Sequence, residues 1–151
     1  MARPDPGHIL FYGTLMSGFA LRRRAAIERF VRFVGPGVVR AALFDLGPYP
    51  AAIRAEGTVR GELYAVTCAD SLMPRVDALE GCVPGDVPRS QYVREAVEVR
   101  LDRGSRRWAW IYFYARPLGD AVWIPGGDYR AHAARQSSPV GLARRPRRRL
   151  L

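Results

Sequence analysis

Lysine is absent from this 151-residue sequence, and cysteine and histidine occur only twice each. Cys68 and Cys82 form no Cys-x-x-Cys unit, and His8 and His132 stand far from both along the chain. No metal-ligand pattern is present, and neither a metal nor another cofactor is expected. One buried thiol and one loop thiol are expected instead, because free cysteine behaves as a small hydrophobe. Neither histidine has a nucleophile motif beside it, which argues against a Ser-His-Asp hydrolase. Gly13 and Gly18 have the glycine spacing of a phosphate loop, but Phe19-Ala20 stands where Lys-Ser/Thr is required, so nucleotide hydrolysis on that pattern is excluded. No apolar run reaches about 18 residues, so no membrane-spanning helix and no membrane partner are expected. Met1 to His8 lacks the basic-then-apolar order of a signal peptide, which leaves the cytoplasm as the default compartment.

Acidic residues are also missing from the end of the chain. All 14 lie at or before Asp128, whereas seven of the 24 arginines lie from Arg130 onward. The formal charge of +10 therefore divides into a nearly balanced body and an arginine-rich tail. Exclusive use of arginine reads as compositional bias of the source genome rather than a chosen phosphate chemistry. No aromatic residue interleaves with Arg144 to Arg149, so a stacking platform for single strands is missing and a nucleic-acid partner is not expected. What remains is ordinary for one globular domain: 48% hydrophobic and 25% charged residues. A chain of this length buries roughly 68–70% of its unfolded surface without staples.

Periodicity predicts a strand-rich order. His8 to Tyr12 is a short apolar strand, and Gly13 to Gly18 a turn. Phe19 to Phe33 has helical spacing and is ended by Gly35-Pro36-Gly37. Val38 to Leu46, Ala51 to Arg54 and Gly57 to Val66 read as strands, with Gly47 to Pro50 a turn forced by two prolines. Ala69 to Leu79 reads as a helix capped by Asp70, with Leu72, Val76 and Leu79 on one face. Cys82 to Ser90 is a loop, and Tyr92 to Leu101 alternates strictly as a strand. Asp102 to Ser105 turns the chain into an aromatic strand from Arg107 to Tyr114, and Pro125 to Tyr129 turns again. The expected class is α+β, a curled mixed sheet or barrel flanked by two helices.

Few residues are placed to do chemistry. Glu80 closes the second predicted helix beside Gly81, a natural residue to follow a helix end. The dipole there disfavours a negative charge, and apolar neighbours would raise its pKa toward neutrality. A solvated surface glutamate is the competing reading. Gly13 lets the loop after the first strand turn its N–H groups toward an anion. Glu62, in mid-strand, is better read as a structural ion-pair partner. Tyr12, Tyr49, Tyr64, Tyr92, Tyr112 and Tyr114 read mostly as core, with hydroxyls reaching a rim partner.

Six ordered blocks across residues 8–130 resemble the gamma-glutamylcyclotransferase-like (AIG2-like) family. They are Phe11-Tyr12-Gly13-Thr14-Leu15 with Gly18; Leu46-Gly47-Pro48-Tyr49-Pro50-Ala51-Ala52-Ile53; Val59-Arg60-Gly61-Glu62-Leu63-Tyr64; Val76-Asp77-Ala78-Leu79-Glu80-Gly81; Tyr92-Val93-Arg94; and Trp110-Ile111-Tyr112-Phe113-Tyr114. The short bacterial members and the gamma-glutamylamine cyclotransferases are the most similar in length. The resemblance implies a small-molecule gamma-glutamyl amide substrate, whose α-amine attacks its own γ-carbonyl to release 5-oxoproline and a free amine. It makes Glu80 the general acid/base and gives the Gly13, Thr14 and Leu15 N–H groups an anion to hold. Tyr12 flanks that loop, and Tyr92, Tyr112 and Tyr114 line the pocket. Val76 stands where the family has Leu. An insert from Gly85 to Ser90 borders the expected leaving-group side. Residues 131–151 have no counterpart and read as a flexible arginine-rich tail.

The alternative is a non-catalytic small-molecule-binding or regulatory module on the same fold, with the tail contacting nucleic acid or acidic surfaces. The sequence leaves the oligomeric state open.

Overall fold

The computed structural model describes residues 5–136. Five strands close into a barrel: β1 (His8–Phe11), β2 (Val31–Asp45), β3 (Pro50–Val66), β4 (Tyr92–Leu101) and β5 (Arg106–Tyr114). Around the ring the order is β3-β1-β5-β4-β2 and back to β3, all antiparallel except β1 with β5. A sixth short strand, β6 (Val122–Trp123), extends β2 outside the ring. Three helices accompany the barrel: α1 (Ala20–Ala25), α2 (Ala69–Glu80) and α3 (Tyr129–Gln136). Among the described residues no helix is long and apolar enough to cross a membrane.

The barrel interior is filled by aliphatic side chains from alternate strand positions, including Ile9, Leu43, Val59, Leu63, Val99 and Ile111, all fully or almost fully buried. Leu72 and Val76 of α2 are fully buried as expected, but Leu79 is 40% exposed. It shares their face but lies in the last turn of α2, where that face borders an open cleft. Asp70 lies in the first turn of α2 but does not cap it; the cap position is Cys68, which makes no side-chain capping bond. Neither thiol is fully buried, since Cys68 is exposed and Cys82 half-buried.

The expected first helix is cut short. α1 covers six residues and ends at Ala26, which adopts a left-handed conformation (φ 54°). A 3₁₀ turn follows at Glu28–Phe30. Val31 to Phe33 instead pair with Val66 to Tyr64 of β3, so a long-range ladder outcompetes local helical spacing. Gly35-Pro36-Gly37 runs on within β2 rather than ending an element. Gly37 allows that passage: a Cβ there would come within 2.8 Å of Val99 Cγ1 and 3.0 Å of the Arg100 carbonyl. The two expected strands between Ala51 and Val66 are one continuous strand.

The expected boundary after residue 130 falls inside α3. Residues 131–136 continue that helix, and the remainder of the arginine-rich tail, 137–151, lies outside the described residues.

Candidate functional site

Glu80 is the last residue of α2. The helix stops there because Gly81 turns left-handed (φ 61°), its N–H reaching back to the Ala78 carbonyl. Burial pushes the Glu80 carboxyl up to about 7, from an ordinary 4.5. Desolvation is the cause. Among the described residues its carboxylate makes no hydrogen bond and no ion pair.

Glu80 lines a small cleft of about 70 Å³, open to solvent, together with Tyr12, Gly13, Thr14, Leu15, Tyr92 and Tyr112. Seven of the eight residues singled out in the sequence thus meet in one place. Tyr114 does not join them. Its ring packs edge-on against Tyr92 at 5.2 Å and borders a separate shallow depression beside Ile53 and Phe113. Tyr49, Pro50, Leu79, Gln91 and Leu21 also line the cleft. Of these, Tyr49 and Pro50 carried a signal in the Gly47-Pro48-Tyr49-Pro50 turn. Gln91 carried none, and it donates through Nε2 to the Tyr49 hydroxyl.

The tyrosine hydroxyls are used to hold the walls. Tyr12 Oη donates to the Tyr112 carbonyl at 2.5 Å and accepts from Ala52 N–H at 3.3 Å. Tyr92 Oη donates to the Pro50 carbonyl at 2.7 Å, and Tyr112 Oη to Asp77 Oδ1 at 2.6 Å. Burial, with the Glu80 charge adding to it, raises all three phenols above their ordinary value. They remain neutral donors at any physiological pH.

The loop after β1 lines the same cleft as Glu80. Among the described residues the N–H groups of Gly13, Thr14 and Leu15 donate to no acceptor, so they are available to an anion in the cleft. The loop is held from behind. Met16 N–H closes onto the Gly13 carbonyl at 3.0 Å. The buried Arg22 donates to the Leu15 carbonyl at 3.0 Å and to both Glu28 carboxylate oxygens, and lies 4.5 Å over the Tyr64 ring. Glu62 accepts from Ser17 N–H and Ser17 Oγ, each at 2.7 Å, and from the Tyr64 hydroxyl at 2.9 Å. Glu62 is thus a structural clasp outside the cleft lining, in keeping with its position in mid-strand.

The insert from Gly85 to Ser90 does not border this cleft. It folds back on itself, with Ser90 Oγ accepting from Val83 N–H at 2.9 Å and donating to the Asp86 carbonyl at 2.8 Å. Its walls belong to a second depression with Cys82, Arg94 and Trp110. Among the described residues no cluster of side chains could hold a metal ion.

Residues 9–131 match the family model described as gamma-glutamyl cyclotransferase, AIG2-like. A Methanocaldococcus jannaschii protein named "Putative gamma-glutamylcyclotransferase" is 28% identical over 126 residues, spanning 82% of this chain and 95% of its own. YtfP of Escherichia coli K12, named a gamma-glutamylcyclotransferase family protein, is 32% identical over 87 residues, spanning 58% of this chain and 66% of its own. The crystal structure of an AIG2-like protein from Mus musculus superposes with a TM-score of 0.67 at 21% identity, covering 97% of this chain and 100% of that one. That likeness speaks to the fold.

Proposed function

Because the chain belongs to the gamma-glutamyl cyclotransferase, AIG2-like family, we propose that it cyclises a gamma-glutamyl amide to 5-oxoproline and releases the amine. The observation that carries this reading is the pairing of Glu80, unpartnered and raised to about 7, with the free N–H groups of Gly13 to Leu15 across one cleft.

In the reaction, ionised Glu80 takes a proton from the substrate's α-ammonium, freeing the lone pair that attacks the γ-carbonyl. A five-membered ring closes through a tetrahedral intermediate. Protonated Glu80 then gives that proton to the leaving nitrogen as the C–N bond breaks, and the second proton shed by the ring nitrogen is taken up by the released amine, which departs as an ammonium. One carboxyl serves both steps only if its pKa lies near the working pH, and a half-buried glutamate raised to about 7 by desolvation meets that condition. The loop N–H groups hold the substrate's α-carboxylate or the developing oxyanion. Tyr12, Tyr92 and Tyr112 form stiff walls that fold the flexible glutamyl chain so that amine and carbonyl meet. Such orientation is worth several kcal/mol, up to about 7–11 in well-aligned cases. No cofactor takes part in this route.

Glu80 is the only charged side chain among the described residues that line the cleft. A leaving group carrying its own carboxylate would find no cation there, so an uncharged amine suits the site better than an amino acid. Release of 5-oxoproline by the wild type, and its loss in Glu80→Gln, tests the reading.

A further inference from the structure

Gly13 to Leu15 line the same cleft as Glu80, yet they sit on a loop rather than on a strand or helix. What fixes that loop from outside is α3, a polar helix at the end of the described chain. Arg130 Nη2 donates to the Ser17 carbonyl at 2.8 Å and pairs with Glu62 Oε2 at 3.2 Å. Its guanidinium also lies 5.3 Å over the Phe19 ring, which stacks on Tyr129 at 5.7 Å. Glu62 binds both Ser17 N–H and Ser17 Oγ. Arg130 thus completes a network around Ser17, at the far end of the loop whose near end lines the cleft.

The helix that carries Arg130 is itself firmly seated. Gly127 is pressed so closely on β3 that a Cβ would fall 1.7 Å from the Thr58 carbonyl oxygen, and its own carbonyl accepts from Arg60 N–H at 2.8 Å. Asp128 caps the helix through Oδ1 to Ala131 N–H at 3.0 Å. Two residues beyond Arg130, the buried His132 meets Asp45 Oδ2 at 2.9 Å through Nε2. Residues two apart on a helix point to different sides, so His132 anchors α3 to the barrel while Arg130 reaches out to the loop. Asp45 Oδ1 in turn accepts Gly47 N–H at 2.7 Å, at the start of the turn that brings Tyr49 and Pro50 to the cleft.

We infer that Arg130 is a positioning residue for the active site: through Ser17 and Glu62 it holds in place the Gly13–Gly18 loop, whose near end lines the cleft with Glu80. It touches no substrate and acts only through the loop. The kinetic half of the test rests on the cyclotransferase reading; the exchange half does not.

Arg130→Met and Arg130→Lys are made in the full chain. The side chain is 48% exposed, so neither substitution is expected to compromise folding. With a gamma-glutamyl alkylamide as substrate, Arg130→Met is expected to lower kcat/KM at least tenfold, with KM raised and the melting temperature within a few degrees of wild type. Arg130→Lys, which keeps a cationic donor, is expected to recover most of that loss. Amide hydrogen exchange on the same proteins reads the loop directly. The Met16 and Ser17 amides, bonded to Gly13 O and Glu62 Oε1, are expected to exchange at least tenfold faster in Arg130→Met, with β4 unchanged. Kinetics within twofold of wild type, or unchanged exchange at Met16 and Ser17, overturns the inference. If the wild type releases no 5-oxoproline from any gamma-glutamyl amide, the activity reading fails, and the exchange result alone decides the role of Arg130.

Discussion

Asp77 and Glu80 lie one turn apart on α2, and their carboxylates are treated in opposite ways. Asp77 accepts the Tyr112 hydroxyl at 2.6 Å and faces Arg94 at 3.6 Å. Glu80 has no partner among the described residues, and burial raises its pKa to about 7. One carboxylate fixes a wall of the cleft; the other is left with its proton affinity available. Two carboxylates within a single helical turn thus differ in pairing: Asp77 is bonded, and Glu80 is not.

The pH dependence of turnover follows from that difference. In the proposed reaction, the step that frees the α-amine needs Glu80 ionised. Activity is therefore expected to rise as pH increases through about 7 and to fall away below it. The check is kcat/KM for a gamma-glutamyl amide between pH 5 and 9. A profile flat across neutrality would contradict the role given to this carboxyl.

Stability should show the same group with the opposite sign. Glu80 titrates near 4.5 when exposed and near 7 in the fold, so the folded state favours its neutral form. Its relative stabilisation is complete below pH 4.5 and is lost as pH rises through about 7. Glu80→Gln carries no such burden. The variant should melt close to wild type at pH 5 and above it at pH 8, by an amount up to about 3 kcal/mol. Melting curves at the two pH values decide it.

Gly13 is fixed by contact rather than by unusual dihedral angles. A Cβ on it would lie 2.7 Å from Pro50 Cγ, and Pro50 is itself held through its carbonyl by Tyr92. Gly13→Ala is expected to push the loop away from the proline, at a cost of about 1–3 kcal/mol in stability. A rise in KM for the gamma-glutamyl substrate should accompany it. Thermal melts and steady-state kinetics on one preparation separate the two effects.

Much of this was legible in the residues. The strict alternation of Tyr92 to Leu101 marks β4 at its observed bounds. Glu80 beside Gly81 marks the end of α2, and the ordered motif blocks bring Tyr12 to Leu15, Tyr92 and Tyr112 to one cleft. What could not be read was decided by distant partners. Val31 to Phe33 have helical spacing, but pairing with β3 claims them. Gly35-Pro36-Gly37 looks like punctuation, yet it is a close passage of β2 beside β4. α3 has no apolar stripe to betray it, because its seat is polar, built from His132 on Asp45 and Arg130 on Ser17. Tyr114 fails as a lining residue because its ring packs against Tyr92 rather than reaching the cleft.

Leaving-group preference follows from charge. With Glu80 the only charged side chain among the described cleft residues, gamma-glutamyl butylamide is expected to be turned over at least tenfold more efficiently than gamma-glutamyl alanine. Leu79 lines the cleft and is 40% exposed, so Leu79→Arg should fold normally and narrow that ratio. A wild-type preference for the carboxylate-bearing substrate would contradict the charge argument while leaving the reaction itself intact.

The central claim is that Glu80 moves the proton in a cyclisation that yields 5-oxoproline. Its most direct measurement is the amount of 5-oxoproline formed from gamma-glutamyl butylamide at pH 8 by wild type and by Glu80→Gln, with circular dichroism confirming that both are folded. The account predicts product with the wild type and at least a hundredfold less with the variant, the scale on which a general acid/base contributes. Equal rates from the two proteins, or no product from a folded wild type offered a range of gamma-glutamyl amides, would contradict it.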